Sequence, residues 1–292
     1  MRISVIIPTY YKNSYKDVLA SIYKQDFKDF EVIVVKNGGE KESYYSKKNL
    51  KAYEITKTGL DNARNFGIKK AAGEIVAFTD DDAIVAENWL STIAKSHELI
   101  EAPVIGGKVL PKWPNNKKPK WVKGILLAYL SILENYSNAS SPTPVHPLDW
   151  LAGTNISFKK YIFDKVGYFD DDLDRKGTQL LSSGEVELCN RIRNKGYQII
   201  FDPSISVFHV IPQHRLTPQY FMERAYWQGI SDLIIDKKHL DKAEILKKFC
   251  VLNKAIQYSK INPDNVFESV DILCSYSKTL GYLQSYVCNF SL

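Results

Sequence analysis

Short runs of apolar, largely β-branched residues recur in the first part of the chain, and each is followed by polar residues. Residues 3–7, 31–35 and 75–78 form such runs. They lack the regular alternation of a half-exposed strand, which is typical of strands buried on both faces of a parallel sheet. Between them, apolar residues such as Val18, Leu19 and Ile22 recur at helical spacing. This order predicts an α/β fold with a mostly parallel, twisted sheet and flanking helices.

The composition excludes several classes of protein. A chain of 292 residues, 45% hydrophobic and 25% charged, allows one large or two small domains and is neither disordered nor fibrous. The net charge of +6 is too small to predict nucleic-acid binding. The four cysteines form no Cys-x-x-Cys pair, and no run of about 18 apolar residues occurs. We therefore expect a cytoplasmic protein with reduced thiols.

Three adjacent carboxylates, Asp80, Asp81 and Asp82, follow the apolar run at residues 75–78. They repel one another unless a cation or strong hydrogen-bond donors compensate. In an extended segment Asp80 and Asp82 point to the same side, where they offer the hard oxygen ligands that Mg²⁺ or Mn²⁺ prefers. An acidic turn that caps the next helix is the alternative interpretation.

The order of these features resembles the family-2 glycosyltransferases of the GT-A fold, over about residues 1–230. The matching segments are Pro8-Thr9-Tyr10, residues 31–39, the Gly-x-x-x-Ala-Arg-Asn of residues 59–65, Asp80-x-Asp82, residues 150–155, residues 184–191, and His209. The resemblance implies a GT-A catalytic domain over residues 1–217, with a nucleotide-sugar-binding half (1–109) and an acceptor half (110–217). A helical C-terminal extension over residues 218–292 would follow.

The resemblance also implies which residues contact the donor. Tyr10 would offer a ring face to the base, and Arg64 would lie near the ribose or diphosphate; a surface arginine paired with Asp61 is the alternative. Lys36 and Asn37 stand where family members usually carry an aspartate that contacts the base, and this departure leaves GDP and dTDP open. UDP is the leading donor nucleotide because it is frequent in the family. The full set of expected donor-binding residues is Pro8, Thr9, Tyr10, Asn37, Arg64, Asp80 and Asp81.

A metal site is implied by the same resemblance. Asp80 and Asp82 match the Asp-x-Asp that holds the metal and, through it, the donor diphosphate. We assign Asp82 to the metal, with His209 as a further ligand, and expect Mn²⁺ or Mg²⁺ as cofactor. A histidine bonded within the rim of the fold is the alternative for His209.

Glu185 aligns with the acidic residue that family members use as the general base. It begins a predicted helix, where the helix dipole favours an ionised carboxylate. Gly184 replaces the glutamate that usually precedes it, and Glu187 is a second candidate base on a different side of the helix. On the acceptor side, the resemblance points to Trp150, Gly153 and Asn155, although Trp150 could be a core residue.

The resemblance therefore implies a metal-dependent, inverting hexosyltransferase. It would move a sugar from a nucleoside-diphosphate sugar to a saccharide or lipid-linked saccharide hydroxyl, in cell-surface polysaccharide or glycoconjugate assembly. The alternative is a catalytically degenerate GT-A-fold protein that binds nucleotide sugars or acts as a scaffold, because Lys36 and Gly184 depart from the family pattern. The first loop has no glycine, which excludes dinucleotide-binding enzymes, and the missing Gly-x-x-x-x-Gly-Lys-Ser/Thr motif excludes P-loop kinases.

Residues 107–124 contain six lysines, two tryptophans and no acidic residue. Such a cationic segment fits peripheral contact with the anionic inner face of the cell membrane. A lysine-rich flap whose tryptophans pack at the acceptor site is the alternative, and the sequence leaves both open.

Overall fold

The computed structural model describes residues 2–10, 15–38, 48–133, 136, 138–175, 177–257 and 265–288. The chain forms two compact units. The first consists of Met1–Lys112, Ser131–Asp171 and Gly184–Ile211, and the second of Trp113–Leu130, Asp172–Ser183 and Pro212–Leu292. Three segments of the predicted acceptor half, residues 113–130, 172–183 and 212–217, thus belong to the second unit, together with the predicted C-terminal extension. Residues 258–264 and 289–292 of that extension lie outside the described residues.

The strands of the first unit join one sheet. In the described residues they are β1 (Ile3–Thr9), β2 (Phe30–Lys36), β3 (Leu50–Glu54), β4 (Ile75–Phe78), β5 (Ala83–Val85), β6 (Val104–Lys112), β7 (Thr143–Pro144), β8 (Ile156–Lys159) and β9 (Ile199–Val210). Their order is β3-β2-β1-β4-β8-β6-β9-β5, and β7 pairs with β9. The sheet is parallel from β3 to β4. Beyond β4 it is mixed, because β8 runs antiparallel to both β4 and β6.

The described helices, numbered along the chain, are α1 (Lys16–Ile22), α2 (Leu60–Lys70), α3 (Trp89–Leu99), α4 (Ile125–Ala128), α5 (Ile162–Val166), α6 (Gly184–Asn194), α7 (Pro218–His239), α8 (Lys242–Gln257) and α9 (Val270–Cys288). In the first unit, α1 and α3 pack on one face of the sheet, and α2 and α6 on the other. Alternate residues of β1 enter the two cores, since Val5 joins one and Ile6 the other. The predicted α/β fold with flanking helices is confirmed.

Strand β9 is continuous through Asp202-Pro203, a dipeptide typical of turns, and has an irregularity there. Gly107 of β6 pairs with Asp202, and the next residue, Lys108, pairs with Ser206. Proline has no amide hydrogen, so a bulge can hold Pro203 without losing a ladder bond. The Asp202 carboxylate stabilises the bulge by accepting a hydrogen bond from the Ser204 amide at 2.9 Å.

The second unit is helical. Helices α7 and α9 approach closely through two glycines: a Cβ at Gly229 would lie 1.9 Å from the Lys278 carbonyl oxygen, and one at Gly281 would lie 2.0 Å from that of Tyr226. Trp121 packs between the rings of Phe221 and Phe267, at centroid distances of 5.4 and 5.3 Å. Among the described residues, no helix is long and apolar enough to cross a membrane.

Candidate active site

Residues of the first unit that were expected to contact the donor gather at the carboxyl edge of the parallel strands. Strands β1 and β4 are hydrogen-bonded neighbours, so the residues after their ends adjoin. Thr9, at the end of β1, donates from Oγ1 to Asp81 Oδ2 at 2.7 Å. This bond joins the first loop to the acidic loop, at the edge where open α/β sheets bind ligands.

Asp82 and His209 lie together although 127 positions separate them in the sequence. Strand β5 begins at Ala83, which pairs with His209 of β9, and the Val210 amide donates to the Asp82 carbonyl at 2.9 Å. This pairing sets Asp82 Oδ1 3.3 Å from His209 Nε2. Within the described ranges, no group of three or more His, Cys, Asp or Glu side chains is arranged to hold a metal ion. The pair offers two ligands, one oxygen and one imidazole nitrogen.

Asp80 carries a buried oxygen. Its Oδ1 has no hydrogen-bond partner, and Arg64 Nη2 is 3.5 Å away. Burial raises the pKa of the Asp80 carboxyl, Arg64 opposes the rise and Asp82 adds to it, and the net shift is upward. The side chains of Asp80, Asp82 and His209 therefore fit a divalent cation by the chemistry of their donor atoms, two carboxylates and an imidazole, and not by a three-ligand geometry, which the described residues do not form.

Arg64 is buried next to the acidic loop, between two phenylalanine rings and three carboxylates. It is 3% exposed, and its guanidinium lies over the rings of Phe169 and Phe78, with centroids 5.4 and 6.0 Å from Cζ. Nη1 bonds Asp61 Oδ1 at 2.9 Å and lies 3.7 Å from Glu185 Oε2. Burial alone would lower the pKa of Arg64, but the carboxylates of Asp61, Asp80 and Glu185 raise it above its ordinary value. The sequence left open a surface arginine paired with Asp61. The pair with Asp61 is present, but Arg64 is buried and does not lie at the surface.

The two candidate bases on α6 have different surroundings. Glu187 is 3% exposed, and both its carboxylate oxygens accept hydrogen bonds from Arg191, at 2.8 to 3.0 Å. Glu185 is partly exposed and lies in the first turn of α6, near Arg64. Because Glu187 is engaged in an internal ion pair, the geometry favours Glu185 as the carboxylate that serves the site.

Asn37 and Tyr10, both expected to bind the donor, differ in burial. Asn37 is buried: its Nδ2 donates to the Thr9 carbonyl at 3.0 Å, and its Oδ1 accepts from the Gly59 amide at 3.1 Å. Its amide therefore ties β1 and β2 to the start of α2, and this differs from the expected base contact. Tyr10 is 37% exposed, and its ring lies over Gly38, where a Cβ would be 2.9 Å from Cε2. Tyr10 is thus partly exposed, whereas the neighbouring Pro8 is buried.

The three residues expected on the acceptor side are dispersed. Asn155 is 1% exposed; its Oδ1 accepts from Trp89 Nε1 at 2.8 Å, and its Nδ2 donates to the Lys108 carbonyl at 2.8 Å. It is a core residue behind the site and not part of its wall. Trp150 is half-buried against the α1–α3 core. Gly153 adjoins the site, because a Cβ there would lie 2.4 Å from Arg64 Nη2.

A model of the family described as Glycosyl transferase family 2 matches residues 4–167 of the chain. The chain belongs to this family. It is 26% identical over 256 residues to the glucosyl-dolichyl phosphate glucuronosyltransferase of Haloferax volcanii, covering 81% of this chain and 78% of that protein. It is also 26% identical over 280 residues to the poly(ribitol-phosphate) β-N-acetylglucosaminyltransferase TarS of Staphylococcus aureus, covering 90% of this chain but only 45% of that enzyme.

Solved glycosyltransferase structures share the GT-A fold with this chain. The S. aureus TarS fragment 1–349 in complex with UDP matches with a TM-score of 0.53 and 18% identity, covering 99% of this chain and 92% of that one. The mannosyltransferase PcManGT of Pyrobaculum calidifontis, in complex with GDP-Man and Mn²⁺, matches with a TM-score of 0.56 and 19% identity, covering 99% and 74%. At these identities the likeness shows the fold.

Within this family 2 site, the sequence interpretation missed Thr154 and gave Asp61 only a secondary place. Thr154 Oγ1 accepts from the Asp80 amide at 3.3 Å and so steadies the acidic loop. Asp61 bonds Arg64 and fills the space beside Gly184, where a Cβ would lie 2.1 Å from Asp61 Oδ2. The sequence held one signal for the role of Asp61. The chain has an aspartate within its Gly-x-x-x-Ala-Arg-Asn segment and a glycine at position 184, where the family usually has a glutamate.

Proposed function

We propose that this family 2 glycosyltransferase moves a hexose from a nucleoside-diphosphate sugar to a hydroxyl of a saccharide or lipid-linked saccharide, with inversion at the anomeric carbon. The observation that carries the proposal is the juxtaposition of one partly exposed carboxylate, Glu185, with the acidic loop through the buried Arg64. A base and a diphosphate-side cluster within one site is what a single displacement requires.

Different residues of the chain would act on the acceptor, the nucleotide base and the diphosphate. Glu185 accepts the proton of the acceptor hydroxyl as its oxygen attacks C1, and the bond from C1 to the diphosphate oxygen breaks on the opposite face. The exposed ring of Tyr10 offers a stacking face for the nucleotide base. Asp82 and His209 would hold a Mn²⁺ or Mg²⁺ ion, with Asp80 beside them. When bound, that ion neutralises charge on the leaving diphosphate.

The donor nucleotide we propose is UDP, because the TarS fragment was solved with UDP and, separately, with UDP-GlcNAc. PcManGT, of similar fold, was solved with GDP-Man, so GDP is the second nucleotide to test. The name of the Haloferax volcanii relative, glucosyl-dolichyl phosphate glucuronosyltransferase, contains a lipid-linked sugar, which supports a lipid-linked acceptor here.

A lipid-linked acceptor raises the question of contact with a membrane, and we propose that the lysines of residues 117–123, in the second unit, supply it in a cytoplasmic enzyme. All four are exposed: Lys117, Lys118, Lys120 and Lys123. Each is worth about 1 kcal/mol near an anionic surface. Trp121 takes no part in this contact, because its ring packs inside the second unit.

The central experiment measures release of nucleoside diphosphate from a panel of UDP- and GDP-sugars, with Mn²⁺ and with excess EDTA. We expect turnover with at least one donor, abolished by EDTA and restored by Mn²⁺. Glu185→Gln should lower kcat by ~10²–10⁴-fold while donor binding changes little. Donor binding without release of nucleoside diphosphate in any combination would instead support the catalytically degenerate alternative.

The matched control is Glu187→Gln on the same helix. It removes charge from the internal pair with Arg191, so it should lower the melting temperature more than it lowers kcat. A larger loss of kcat in Glu187→Gln than in Glu185→Gln would mean that Glu187, and not Glu185, is the general base.

Membrane contact is tested by flotation with vesicles of phosphatidylcholine, with and without phosphatidylglycerol. Binding should require the anionic lipid, weaken at high salt and fall when Lys117, Lys118, Lys120 and Lys123 are changed to Gln. An equal-charge control changes four exposed lysines elsewhere: Lys95, Lys195, Lys247 and Lys254. Equal binding by the two quadruple variants, or none to either vesicle, would reject the proposal.

A further inference from the structure

Arg64 is surrounded by three carboxylates at unequal distances. Asp61, three residues earlier on α2, bonds Nη1 at 2.9 Å, whereas Asp80 lies 3.5 Å from Nη2 and Glu185 lies 3.7 Å from Nη1. Of the three, only Asp61 is within ordinary hydrogen-bond distance of the guanidinium. Both Arg64 and Asp61 have side chains that are 4% exposed. The bond is therefore a buried, charge-assisted one, the kind that fixes a side chain most strongly.

The room for this pair comes from two glycines. A Cβ at Gly153 would lie 2.4 Å from Arg64 Nη2, and a Cβ at Gly184 would lie 2.1 Å from Asp61 Oδ2. Neither distance is compatible with a side chain in the present arrangement. Gly184 immediately precedes Glu185 at the start of α6, so the carboxylate of Asp61, which comes from α2, lies directly beside the first turn that carries the proposed base.

We propose that Asp61 is a positioning residue: it takes the space left by the missing side chain at 184, holds Arg64 by the strongest of its three contacts, and thereby keeps Glu185 out of a direct bond with the guanidinium. This rests on the proposed role of Glu185. A carboxylate engaged directly by a buried guanidinium is a poor proton acceptor, because protonation would leave the cation unpaired. With Asp61 in place, the charge of Arg64 is neutralised by a direct hydrogen bond, and Glu185 Oε2 stays 3.7 Å from Nη1.

Removal of Asp61 has a defined consequence. The buried charge of Arg64 then draws Asp80 and Glu185 toward it, which withdraws both from the reacting groups. We expect Asp61→Ala to lower kcat at least tenfold and to lower the melting temperature. Asn62→Ala is the matched control, since it removes the hydrogen bond that Asn62 Nδ2 donates to the Thr58 carbonyl in the same turn and leaves the carboxylate in place. It should lower the melting temperature with kcat within about twofold of the wild type.

The decisive experiment moves the carboxylate from one helix to the other. Gly184→Asp alone forces two carboxylates into one space, so it should be less stable and less active than the wild type. Combined with Asp61→Ala, the same substitution places a carboxylate from α6 beside Arg64. We expect the double variant to recover most of the melting temperature and at least tenfold in kcat over the worse single variant, so that the two changes are strongly non-additive.

The readouts separate this inference from the proposed function. Additive losses of melting temperature in the double variant would overturn the exchange of carboxylates whether or not the enzyme turns over. If the melting temperatures are non-additive in the double variant but kcat is unchanged in Asp61→Ala, the positioning role is overturned, and the pair of Asp61 and Arg64 only stabilises the fold. A wild-type protein that shows no turnover with any donor would refute the proposed function, and with it the effect on Glu185, while non-additive stability would still support the exchange.

Discussion

His97 gives the protein a predictable sensitivity to acid. It lies in α3, is 1% exposed, and its Nε2 is 2.9 Å from Ser157 Oγ. The Ser157 hydroxyl donates to the Ile105 carbonyl at 2.9 Å, so its hydrogen is already used. The imidazole must then donate from Nε2, and a neutral ring with its hydrogen on that atom satisfies this geometry. Burial, and to a lesser extent the charge of Lys159, lowers the pKa of His97 to about 3.

The magnitude follows from the linkage between proton binding and folding. In the unfolded chain histidine titrates near pH 6.5, so between about pH 6.5 and pH 3 the unfolded state binds a proton that the folded state does not. Stability is complete above that range and decreases as the pH falls. From pH 7.5 to pH 5.0, this one group should reduce the free energy of unfolding by about 2 kcal/mol.

The assay is urea unfolding of the wild type and His97→Gln at pH 7.5 and at pH 5.0. Glutamine can still donate to Ser157 but does not titrate, so the loss of stability between the two pH values should be smaller in the variant by about 2 kcal/mol. His239→Gln, at an exposed position near the end of α7, should leave that loss unchanged. If His97→Gln and the wild type lose the same free energy between pH 7.5 and 5.0, the histidine is not buried in the neutral form and the reasoning fails.

Three further substitutions test the site and the second unit. Asp82→Asn should not recover transfer activity as MnCl₂ is raised in a rate titration, because an amide oxygen lacks the charge that holds the ion; full recovery would remove Asp82 from the metal site. Trp121→Ala should destabilise the second unit by up to about 3 kcal/mol in chemical denaturation, since it removes a half-buried ring that packs on Phe221 and Phe267. Gly229→Ala should lower the melting temperature seen by circular dichroism, because its methyl would collide with the Lys278 carbonyl; an unchanged value would mean that α7 and α9 can separate without loss.

The sequence predicted those strands whose pattern depends on burial alone. Strands β1, β2 and β4 are buried at every residue, and an uninterrupted apolar run leaves few other structures. The edge strand β3 was missed, since only some of its residues are partly buried and its sequence is short and charged. The antiparallel position of β8 between β4 and β6 was missed for a different reason: the pairing is decided by neighbours far away in the sequence.

The same distinction applies to the site. Thr9 and the acidic loop adjoin because β1 and β4 are neighbouring parallel strands, and the family resemblance had already assigned both to donor binding. The partners of single side chains were not predictable in this way. Asn37 and Asn155 have the same side chain as many ligand-contacting residues, yet each is turned inward to bond backbone or indole groups that approach from other elements. A polar residue type thus indicates a need for partners without identifying them.

The charges around Arg64 link folding to catalysis. One guanidinium serves three carboxylates: its Nη1 bonds Asp61 at 2.9 Å, while its Nη2 stays 3.5 Å from an Asp80 oxygen that has no hydrogen bond. A buried oxygen without a hydrogen-bond partner costs folding free energy. The fold carries this cost on the donor side of the site, where a ligand that satisfies Asp80 recovers it on binding and so stabilises the folded state.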